Sequence, residues 1–385
     1  MRSALFGRPI DRRNPADSVK WNRYADDVLP MWIADTDFAV PEAIVAAMAE
    51  RLQNPAFGYA MPDRQTREAI VGWLSARYGW QVSASDLVFI PGALPGIAMA
   101  LGGLLSPGDG VAMQMPTYGP IHAAPSNWGL CRIDALVEPG PDGYGMGDLE
   151  EAISRARALV LCNPHNPTGK VYSREELIRL ASICEREDVL ILSDEVHCDL
   201  VYPGREHVPI ASLSPEIAAR TITLMSAGKT FNLSGLKLGF AVITNKELRR
   251  RFVAAHRGMV PRTDSLMGLV ATRAAFAEGE AWRRAQVDYL TASRDHLVAE
   301  LVRRIPGVRL IAPQASFLAW LDFRDLGLGD DPGAWLLEKA RVGLSPGPEF
   351  GTGGVGHARI NFGCPRVLID EAIDRITRAL DQRAV

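Results

Sequence analysis

Short apolar segments, each followed by turn residues, recur between residues 87 and 244 of the chain. They are four or five residues long and continuous rather than alternating, which is typical of strands covered on both faces of a sheet. Helical patterns lie between several of them, and residues 173–187 begin with Ser173 and Glu176 in capping-box spacing. Alternating strands and helices predict an α/β fold with a mostly parallel central sheet flanked by helices. The predicted strands are LVFI (87–90), VAMQM (111–115), ALVLC (158–162), VLILS (189–193), TITLM (221–225) and FAVIT (240–244).

The pattern changes after about Leu266. A long helical region, residues 266–304, precedes three short apolar segments and a final amphipathic helix, VLIDEAIDRITRALDQR. These features predict a smaller α+β domain with an antiparallel sheet, to which both ends of the chain contribute. We therefore predict a large domain over residues 44–270 and a small domain made of residues 1–43 and 271–385.

The composition is that of an ordinary globular protein. Of 385 residues, 47% are hydrophobic and 23% are charged, and the formal net charge is −3. No basic excess points to a nucleic-acid partner, and the N-terminal segment lacks the apolar core of a secretory signal. The cysteines have no C-x-x-C spacing, so we expect a reducing cytoplasm, no disulfide framework and no zinc site. The five are Cys131, Cys162, Cys184, Cys198 and Cys364.

The segment from Leu87 to Gly108 has no charge over 22 residues, which is long enough for a membrane span. Prolines and glycines interrupt it, however, and DLVFI is typical of a short strand before a glycine turn. We expect a strand, a turn and a buried helix at this place, and no membrane partner.

Chemically active residues follow the predicted strands. In parallel α/β sheets, ligands bind beyond the carboxyl ends of the strands, so these residues are expected at one edge. The first strand leads into a glycine turn and a helix, whose backbone N–H groups can bind a phosphate. The residues after the strands are Gly92, Ala93 and Leu94, then Tyr118, then Asn166, then Asp194 and His197, and finally Ser226 and Lys229.

Each of these residues also has an ordinary structural explanation. Asp194 after a strand can cap a helix, Lys229 can extend to solvent, and a glycine turn can merely connect two elements. Taken together, however, the set suits pyridoxal phosphate. That cofactor needs a lysine amine for its aldehyde, a carboxylate for its ring nitrogen and a phosphate cradle. The sequence therefore favours a pyridoxal phosphate site at this edge of the sheet.

The segments NPHNPTGKVYSREEL, SDEVHCDLVY, SAGKTFNLSGLKLGF and ARINFGCP resemble the fold-type I aminotransferase superfamily. The segments MWIADTDF and FGYAMP, and the histidines of NPHNP and DEVH, resemble its cystathionine β-lyase (cysteine–sulfur lyase) branch. The resemblance extends from DSVKWN to the last helix. It implies a cytoplasmic homodimeric enzyme that uses pyridoxal phosphate to eliminate a thiol from an S-substituted L-cysteine, giving pyruvate and ammonia.

The resemblance also implies roles for individual residues. Lys229 would bind the cofactor aldehyde as a Schiff base and then shuttle the proton, and Asp194 would pair with the ring nitrogen. Arg359 would bind the substrate carboxylate with its bidentate fork, and Trp32 would line the substrate pocket. Tyr59 would reach the phosphate from a neighbouring subunit. The remaining cofactor contacts would come from Gly92, Ala93, Leu94, Tyr118 (stacked on the ring), Asn166, His197, Ser226 and Lys237.

The chain departs from the family pattern at three places. Lys237 stands where many relatives have an arginine, and Gly228 stands where relatives often have a serine. A lysine cannot make the bidentate phosphate contact of an arginine, so a weaker hold on the cofactor phosphate is expected. QASFLAW (314–320) replaces the expected Gly-x-Tyr pattern near the substrate, which leaves the sulfur substituent open.

Two other functions stay open at this stage. An aminotransferase begins with the same loss of the substrate Cα proton, and no single residue distinguishes it from a lyase. A regulatory binding protein on the same fold is the second alternative, although no DNA-binding extension is visible and the catalytic set is complete.

Overall fold

Seven strands form the central sheet of the computed structural model, which describes residues 5–140, 143–255 and 264–383. Their order across the sheet is β1-β7-β6-β5-β4-β2-β3. All neighbours are parallel except β7, which runs antiparallel to β1 and β6. The strands are β1 (Leu87–Ile90), β2 (Gly110–Met115), β3 (Cys131–Leu136), β4 (Ala158–Cys162), β5 (Leu190–Asp194), β6 (Thr221–Met225) and β7 (Gly239–Val242).

The six strands predicted from apolar runs all lie in this sheet, so the predicted α/β fold is confirmed. Residues of β4 and β6 are buried at every position, because helices cover both faces. Leu224 and Met225, which are adjacent in β6, pack into different hydrophobic clusters on opposite faces. The prediction missed β3, which lies at the edge of the sheet, is partly exposed and carries polar residues between apolar ones.

Helices and short helical turns connect the strands. The predicted capping box is confirmed: Ser173 Oγ accepts from the Glu176 N–H at 3.2 Å, and Glu176 Oε2 accepts from the Ser173 N–H at 2.8 Å. The predicted helical region 266–304 consists of two helices that meet at Gly279. The longer helices are Glu42–Leu52, Arg64–Tyr78, Ala93–Leu104, Arg174–Arg186, Lys246–Ala255, Leu266–Glu278, Glu280–Arg304 and Arg366–Arg383. The shorter ones are Val19–Asn22, Gly119–Ala123, Leu149–Ser154, Pro215–Ala219, Pro332–Trp335 and the π-type turn Leu336–Ala340.

A second, antiparallel sheet lies in the C-terminal part of the chain, as predicted. Its order is β8-β9-β11-β10, and the helices Glu280–Arg304 and Arg366–Arg383 contribute to the core beside it. Phe6, Met31 and Phe38 pack into this same core, which therefore joins both ends of the chain. The domain boundaries at residues 43 and 270 stay a prediction. The strands are β8 (Arg309–Leu310), β9 (Leu318–Asp322), β10 (Ser345–Pro346) and β11 (His357–Asn361).

Two further pairs of very short strands complete the sheet structure of the described residues. Leu29–Pro30 pairs in parallel with Val342–Gly343, and Pro139–Gly140 pairs antiparallel with Gly143–Tyr144. The first pair attaches the N-terminal segment to the C-terminal part of the chain.

The uncharged segment that begins at Leu87 forms β1, a turn and the buried helix Ala93–Leu104, as predicted. Within residues 5–140, 143–255 and 264–383, none of the helices has the length and apolar character needed to cross a membrane.

A buried ionic network holds the N-terminal segment in place. Asp37 accepts hydrogen bonds from Lys20 Nζ at 2.7 Å, Arg12 Nη1 at 3.0 Å and Trp21 Nε1 at 2.7 Å. The side chains of Lys20 and Asp37 are only 0% and 2% exposed. A buried cation that loses its anion is strongly destabilising, because nothing replaces its lost hydration. The network therefore fixes the segment that contains Ala34 and Asp35.

We predict that Asp37→Asn lowers the free energy of unfolding by about 3 kcal/mol, because the buried Lys20 charge loses its partner. Urea denaturation followed by circular dichroism measures the change. Asp26→Asn is the matched control, since Asp26 is 99% exposed and lies 3.5 Å from Arg13. That exposed pair should contribute less than about 1 kcal/mol. Equal effects of the two substitutions would contradict the structural role of the buried network.

Candidate active site

The carboxyl ends of three adjacent strands meet at one edge of the central sheet. Asp194, the last residue of β5, pairs in register with Cys162 at the end of β4 and with Leu224 near the end of β6. Asn166 follows β4, and Lys229 follows β6 after a short turn. Because parallel neighbours end at the same edge, the structure places Asp194, Asn166 and Lys229 at the edge where the sequence analysis expects them.

Lys229 presents its amine at a part-buried position. Its Nζ donates a hydrogen bond to the Ala34 carbonyl oxygen at 2.6 Å, which brings the N-terminal segment to the site. Burial lowers the pKa of Lys229 to about 8; Asp35 and Asp194 oppose this change, and Arg359 and Lys237 add to it. A large fraction of the amine is therefore neutral and nucleophilic in weakly alkaline solution.

Asp194 is a buried carboxylate, and few interactions with the rest of the protein offset its lost hydration. Burial raises its pKa to about 6, against the opposing effects of the Val196 N–H, at 3.3 Å, and of Lys229. Among the described residues, no Lys, Arg or His nitrogen lies within 4.0 Å of this carboxylate. The neighbouring Glu195 is different, because it binds Ser193 Oγ and His207 Nε2, each at 2.8 Å. Asp194 thus has an unfilled capacity to bind a cationic N–H group.

Arg359, on β11, lies beside Asn166 in the buried interior. Its Nη1 donates to Asn166 Oδ1 at 2.9 Å, and its Nη2 donates to the Trp32 carbonyl oxygen at 2.7 Å and to Ser345 Oγ at 3.0 Å. Its Nε is buried and has no hydrogen-bond partner within the described parts of the chain. Burial lowers the pKa of Arg359 to about 10, but the guanidinium stays charged at neutral pH. An unpartnered guanidinium N–H is suited to an incoming carboxylate.

His197 is buried between the strand ends and the second sheet. Its Nδ1 lies 3.0 Å from Ser316 Oγ, and its ring contacts Phe317 edge-on with centroids 5.9 Å apart. Burial lowers the pKa of His197 to about 3, with Lys229 and Arg359 contributing to the same effect. The imidazole is therefore neutral at physiological pH and carries a single N–H.

The glycine turn after β1 has the geometry of an anion-binding loop. Gly92 has φ +147° and precedes the helix that begins at Ala93. A Cβ at Gly239 would lie 3.1 Å from the Gly92 Cα, so β7 approaches the turn closely only because it has a glycine there. The free N–H groups at this helix start, including that of Leu94, can bind a phosphate.

Ser226 and Lys237, which the sequence analysis also predicts to contact the phosphate, lie in different environments. Ser226 Oγ donates to the Leu238 carbonyl oxygen at 2.8 Å and accepts from the Gly228 N–H at 2.9 Å, which orders the turn before Lys229. Lys237 is exposed and has a left-handed backbone, with φ +53°. Solvent and salt screen the charge of an exposed lysine such as Lys237.

The aromatic residues of the prediction lie around this centre. Trp32 contributes its carbonyl oxygen to Arg359, and its ring packs under the guanidinium of Arg23 at 4.3 Å. Tyr118 is partly exposed before the helix Gly119–Ala123. Tyr59 does not reach the site within this chain; it is 95% exposed, beside the exposed Phe57 and Met61.

Sequence reasoning missed four contributors. Ala34 acts through its backbone carbonyl, which no sequence pattern reveals. Ser345 and Ser316 bind Arg359 and His197, respectively, from distant segments. Asp35 influences the charge of Lys229 and was visible only as part of the segment MWIADTDF. In the described part of the chain, no group of three His, Cys, Asp or Glu side chains is arranged to hold a metal ion.

Comparisons with known proteins agree with this geometry. The family model described as "Aminotransferase class I and II" matches residues 26–376. Cystathionine beta-lyase PatB of Bacillus subtilis is 36% identical over 380 residues, which cover 96% of this chain and 98% of PatB.

Two solved structures extend the comparison. A crystal structure of OvoB is 42% identical, with a TM-score of 0.92 and coverage of 97% of this chain and 98% of OvoB. A crystal structure of the PLP-bound C–S lyase from Staphylococcus hominis is 30% identical, with a TM-score of 0.92 and coverage of 99% and 100%. With a matching family model over most of its length and relatives that it covers almost completely, the chain belongs to the aminotransferase class I and II family.

Proposed function

We propose that this protein is a pyridoxal phosphate-dependent carbon–sulfur β-lyase, which converts an S-substituted L-cysteine into a thiol, pyruvate and ammonia. The observation that carries the proposal is the pair formed by Lys229 and Asp194: a part-buried amine that is readily neutralised and a buried carboxylate without a cationic partner. The names of the relatives support the reaction type, since PatB is named a cystathionine beta-lyase and the Staphylococcus hominis protein a PLP-bound C–S lyase.

The residues present fit pyridoxal phosphate. The unpaired Asp194 carboxylate can bind a protonated ring nitrogen, and the neutral form of Lys229 can bind the aldehyde carbon. The N–H groups of Gly92, Ala93 and Leu94 can bind the phosphate, with Ser226 nearby. We assign the phenolic oxygen of the cofactor to Asn166 and His197, one face of its ring to Tyr118, and an outer phosphate contact to Lys237.

Each step of the proposed reaction assigns a task to a residue of the chain. Bound pyridoxal phosphate supplies an electron sink, which accepts the electron pair released at the substrate Cα. Asp194 remains ionised and keeps the proton on the ring nitrogen. Arg359 binds the substrate carboxylate through its unpartnered Nε, and Trp32 lines the pocket. The Lys229 amine accepts the Cα proton as a general base.

The substrate and one water molecule supply all the atoms of the three products. The bond between Cβ and sulfur breaks, the sulfur leaves with the electron pair as a thiolate, and a proton converts it to the thiol. Addition of water to the remaining three-carbon unit releases ammonia and pyruvate. Transamination is the alternative, and the family name favours it; it requires a 2-oxo acid to accept the amino group.

A homodimer with shared sites is also part of the proposal. Phe57, Tyr59 and Met61 are 60%, 95% and 80% exposed, which is unusual for apolar side chains so close together. We propose that a second copy of the chain covers them and that Tyr59 contacts the phosphate in the partner's site. We also propose a cytoplasmic location, because the cysteines of the described residues are free and four of them are buried.

We predict equimolar thiol and pyruvate from at least one S-substituted L-cysteine, without any added 2-oxo acid. Thiol is measured with a chromogenic disulfide and pyruvate with lactate dehydrogenase, across a panel of cysteine conjugates. Lys229→Ala, which removes the proposed base, is the control for background elimination. If amino-group transfer to an added 2-oxo acid exceeds thiol release for every conjugate, the protein is an aminotransferase.

Asp194→Asn is expected to lower the rate about a hundredfold or more, because the amide cannot stabilise the ring proton. The same substitution should stabilise the cofactor-free protein at pH 8. The pKa of Asp194 is raised to about 6 in the folded state, so its ionisation opposes folding above pH 6, and this effect disappears as the pH falls towards 4.

The expected gain in the free energy of unfolding at pH 8 is about 3 kcal/mol, from a shift of roughly two pKa units. Urea denaturation of the cofactor-free proteins at pH 8 and pH 4 measures it, with Asp26→Asn as the control for loss of an exposed carboxylate. A loss of stability at pH 8 would show that Asp194 has a structural role instead.

The proposed site shared by two copies of the chain leads to a separate prediction. Sedimentation should show a dimer, and Tyr59→Phe should weaken pyridoxal phosphate binding by about threefold to tenfold, the effect of one hydrogen bond. Met61→Leu is the control for packing at the same surface. A monomer that keeps full activity on dilution would contradict the dimeric site.

A further inference from the structure

Ser316 has a backbone conformation that L-amino acids rarely adopt. Its φ is +73°, in the left-handed region, and the residue is buried at 2% exposure. This conformation is energetically unfavourable for a residue other than glycine. Glycine at this position would avoid the cost, so the presence of serine calls for a reason in its side chain.

The surrounding hydrogen bonds impose this conformation. The Ser316 N–H donates to the Leu200 carbonyl oxygen at 2.9 Å, and the Tyr202 N–H donates to the Gln314 carbonyl oxygen at 3.0 Å. The Tyr202 hydroxyl donates to the Ser316 carbonyl oxygen. These bonds attach the segment before β9 to the loop that follows His197. The position of the Ser316 side chain relative to His197 is therefore determined by backbone contacts on both sides.

The Ser316 hydroxyl has one side-chain partner in the described structure, the Nδ1 of His197 at 3.0 Å. Because the imidazole is neutral, this contact decides which ring nitrogen carries the proton. If the hydroxyl donates to Nδ1, the proton lies on Nε2. If the hydroxyl accepts from Nδ1, then Nε2 is an acceptor.

We propose that Ser316 is a positioning residue: its hydroxyl donates to His197 Nδ1 and keeps the imidazole proton on Nε2, where it can donate to the phenolic oxygen of pyridoxal phosphate. This inference rests on the proposed function. The phenolic oxygen of the cofactor is an acceptor when ionised, so an Nε2 lone pair facing it would be repulsive. Only the tautomer with the proton on Nε2 makes a favourable contact there.

The backbone and the side chain of Ser316 thus have opposite effects. The left-handed backbone lowers stability, and the hydroxyl, which requires a Cβ, serves cofactor binding. Substitutions can separate the two, because Ser316→Ala removes the hydroxyl and keeps the strained Cβ, whereas Ser316→Gly removes both.

The first measurement is pyridoxal phosphate binding to the cofactor-free variants, followed by absorbance. Ser316→Ala and Ser316→Gly should each weaken binding by about threefold to tenfold, as expected for one hydrogen bond. Ser316→Gly should also have a melting temperature about 1–3 °C above that of Ser316→Ala in the cofactor-free state, since it relieves the backbone. Weaker binding together with higher stability is a result that a merely structural serine would not produce.

Asp188→Gly is the matched control. Asp188 also has a left-handed backbone, with φ +51°, but its side chain is 88% exposed and pairs with Arg220 away from the site. This variant should bind pyridoxal phosphate as tightly as the unmodified protein. Cofactor loss in both glycine variants would assign the effect to the backbone and overturn the inference.

Two further readouts address the tautomer itself. In protein labelled with ¹⁵N-histidine, the His197 ring should show a protonated Nε2 in the unmodified protein and a mixture of tautomers in Ser316→Ala. In a double-mutant cycle, Ser316→Ala should cause no additional loss of cofactor affinity once His197→Gln is present. Additive losses, or an Nδ1-protonated ring in the unmodified protein, would overturn the inference.

The outcomes also separate this inference from the proposed function. If the unmodified protein does not bind pyridoxal phosphate, the proposed function fails. If the unmodified protein and Ser316→Ala bind it equally well, the proposed function stands and only the role of Ser316 is wrong.

Discussion

Burial of Asp194 and partial burial of Lys229 at the carboxyl edge of the central sheet is the constraint on which the rest of the site depends. Loss of hydration shifts the pKa of Asp194 up to about 6 and the pKa of Lys229 down to about 8. Each group is thereby moved towards neutrality, and neither has an ion-pair partner within 4.0 Å among the described residues. The fold thus holds a reactive amine and an unpaired carboxylate close together, which costs stability unless a ligand uses both.

Hydrogen bonds and ion pairs around the site offset the stability lost through the unpaired charges of Asp194 and Lys229. The buried Asp37 network holds the segment that presents the Ala34 carbonyl oxygen to Lys229, and Asn361 Nδ2 donates to the Ile33 and Asp35 carbonyl oxygens at 2.6 and 2.7 Å. The N-terminal segment, the central sheet and the second sheet all contribute to one site. A site built from three parts of the chain is ordered only when all three have folded.

The candidate site was predictable to the extent that its residues follow buried strands. Asp194, Asn166 and Lys229 are polar residues that come within four residues of the end of an apolar run, so their convergence could be predicted from the parallel arrangement of the strands. The missed strand β3 shows the limit, because an edge strand is half exposed and has no continuous apolar run. Tyr59 could be assigned only by resemblance, since its role depends on a second copy of the chain.

The sequence by itself determined the α/β pattern, the capping box at Ser173 and the chemical groups available at the strand ends. Only the tertiary structure decided which groups act on one another. Lys229 meets Ala34 across 195 positions of the chain, and His197 meets Ser316 across 119. Local patterns report burial and periodicity, whereas a hydrogen bond between distant segments depends on how sheets and loops pack. The left-handed backbone of Ser316 likewise has no signal in QASFLAW, because contacts with the loop after His197 impose it.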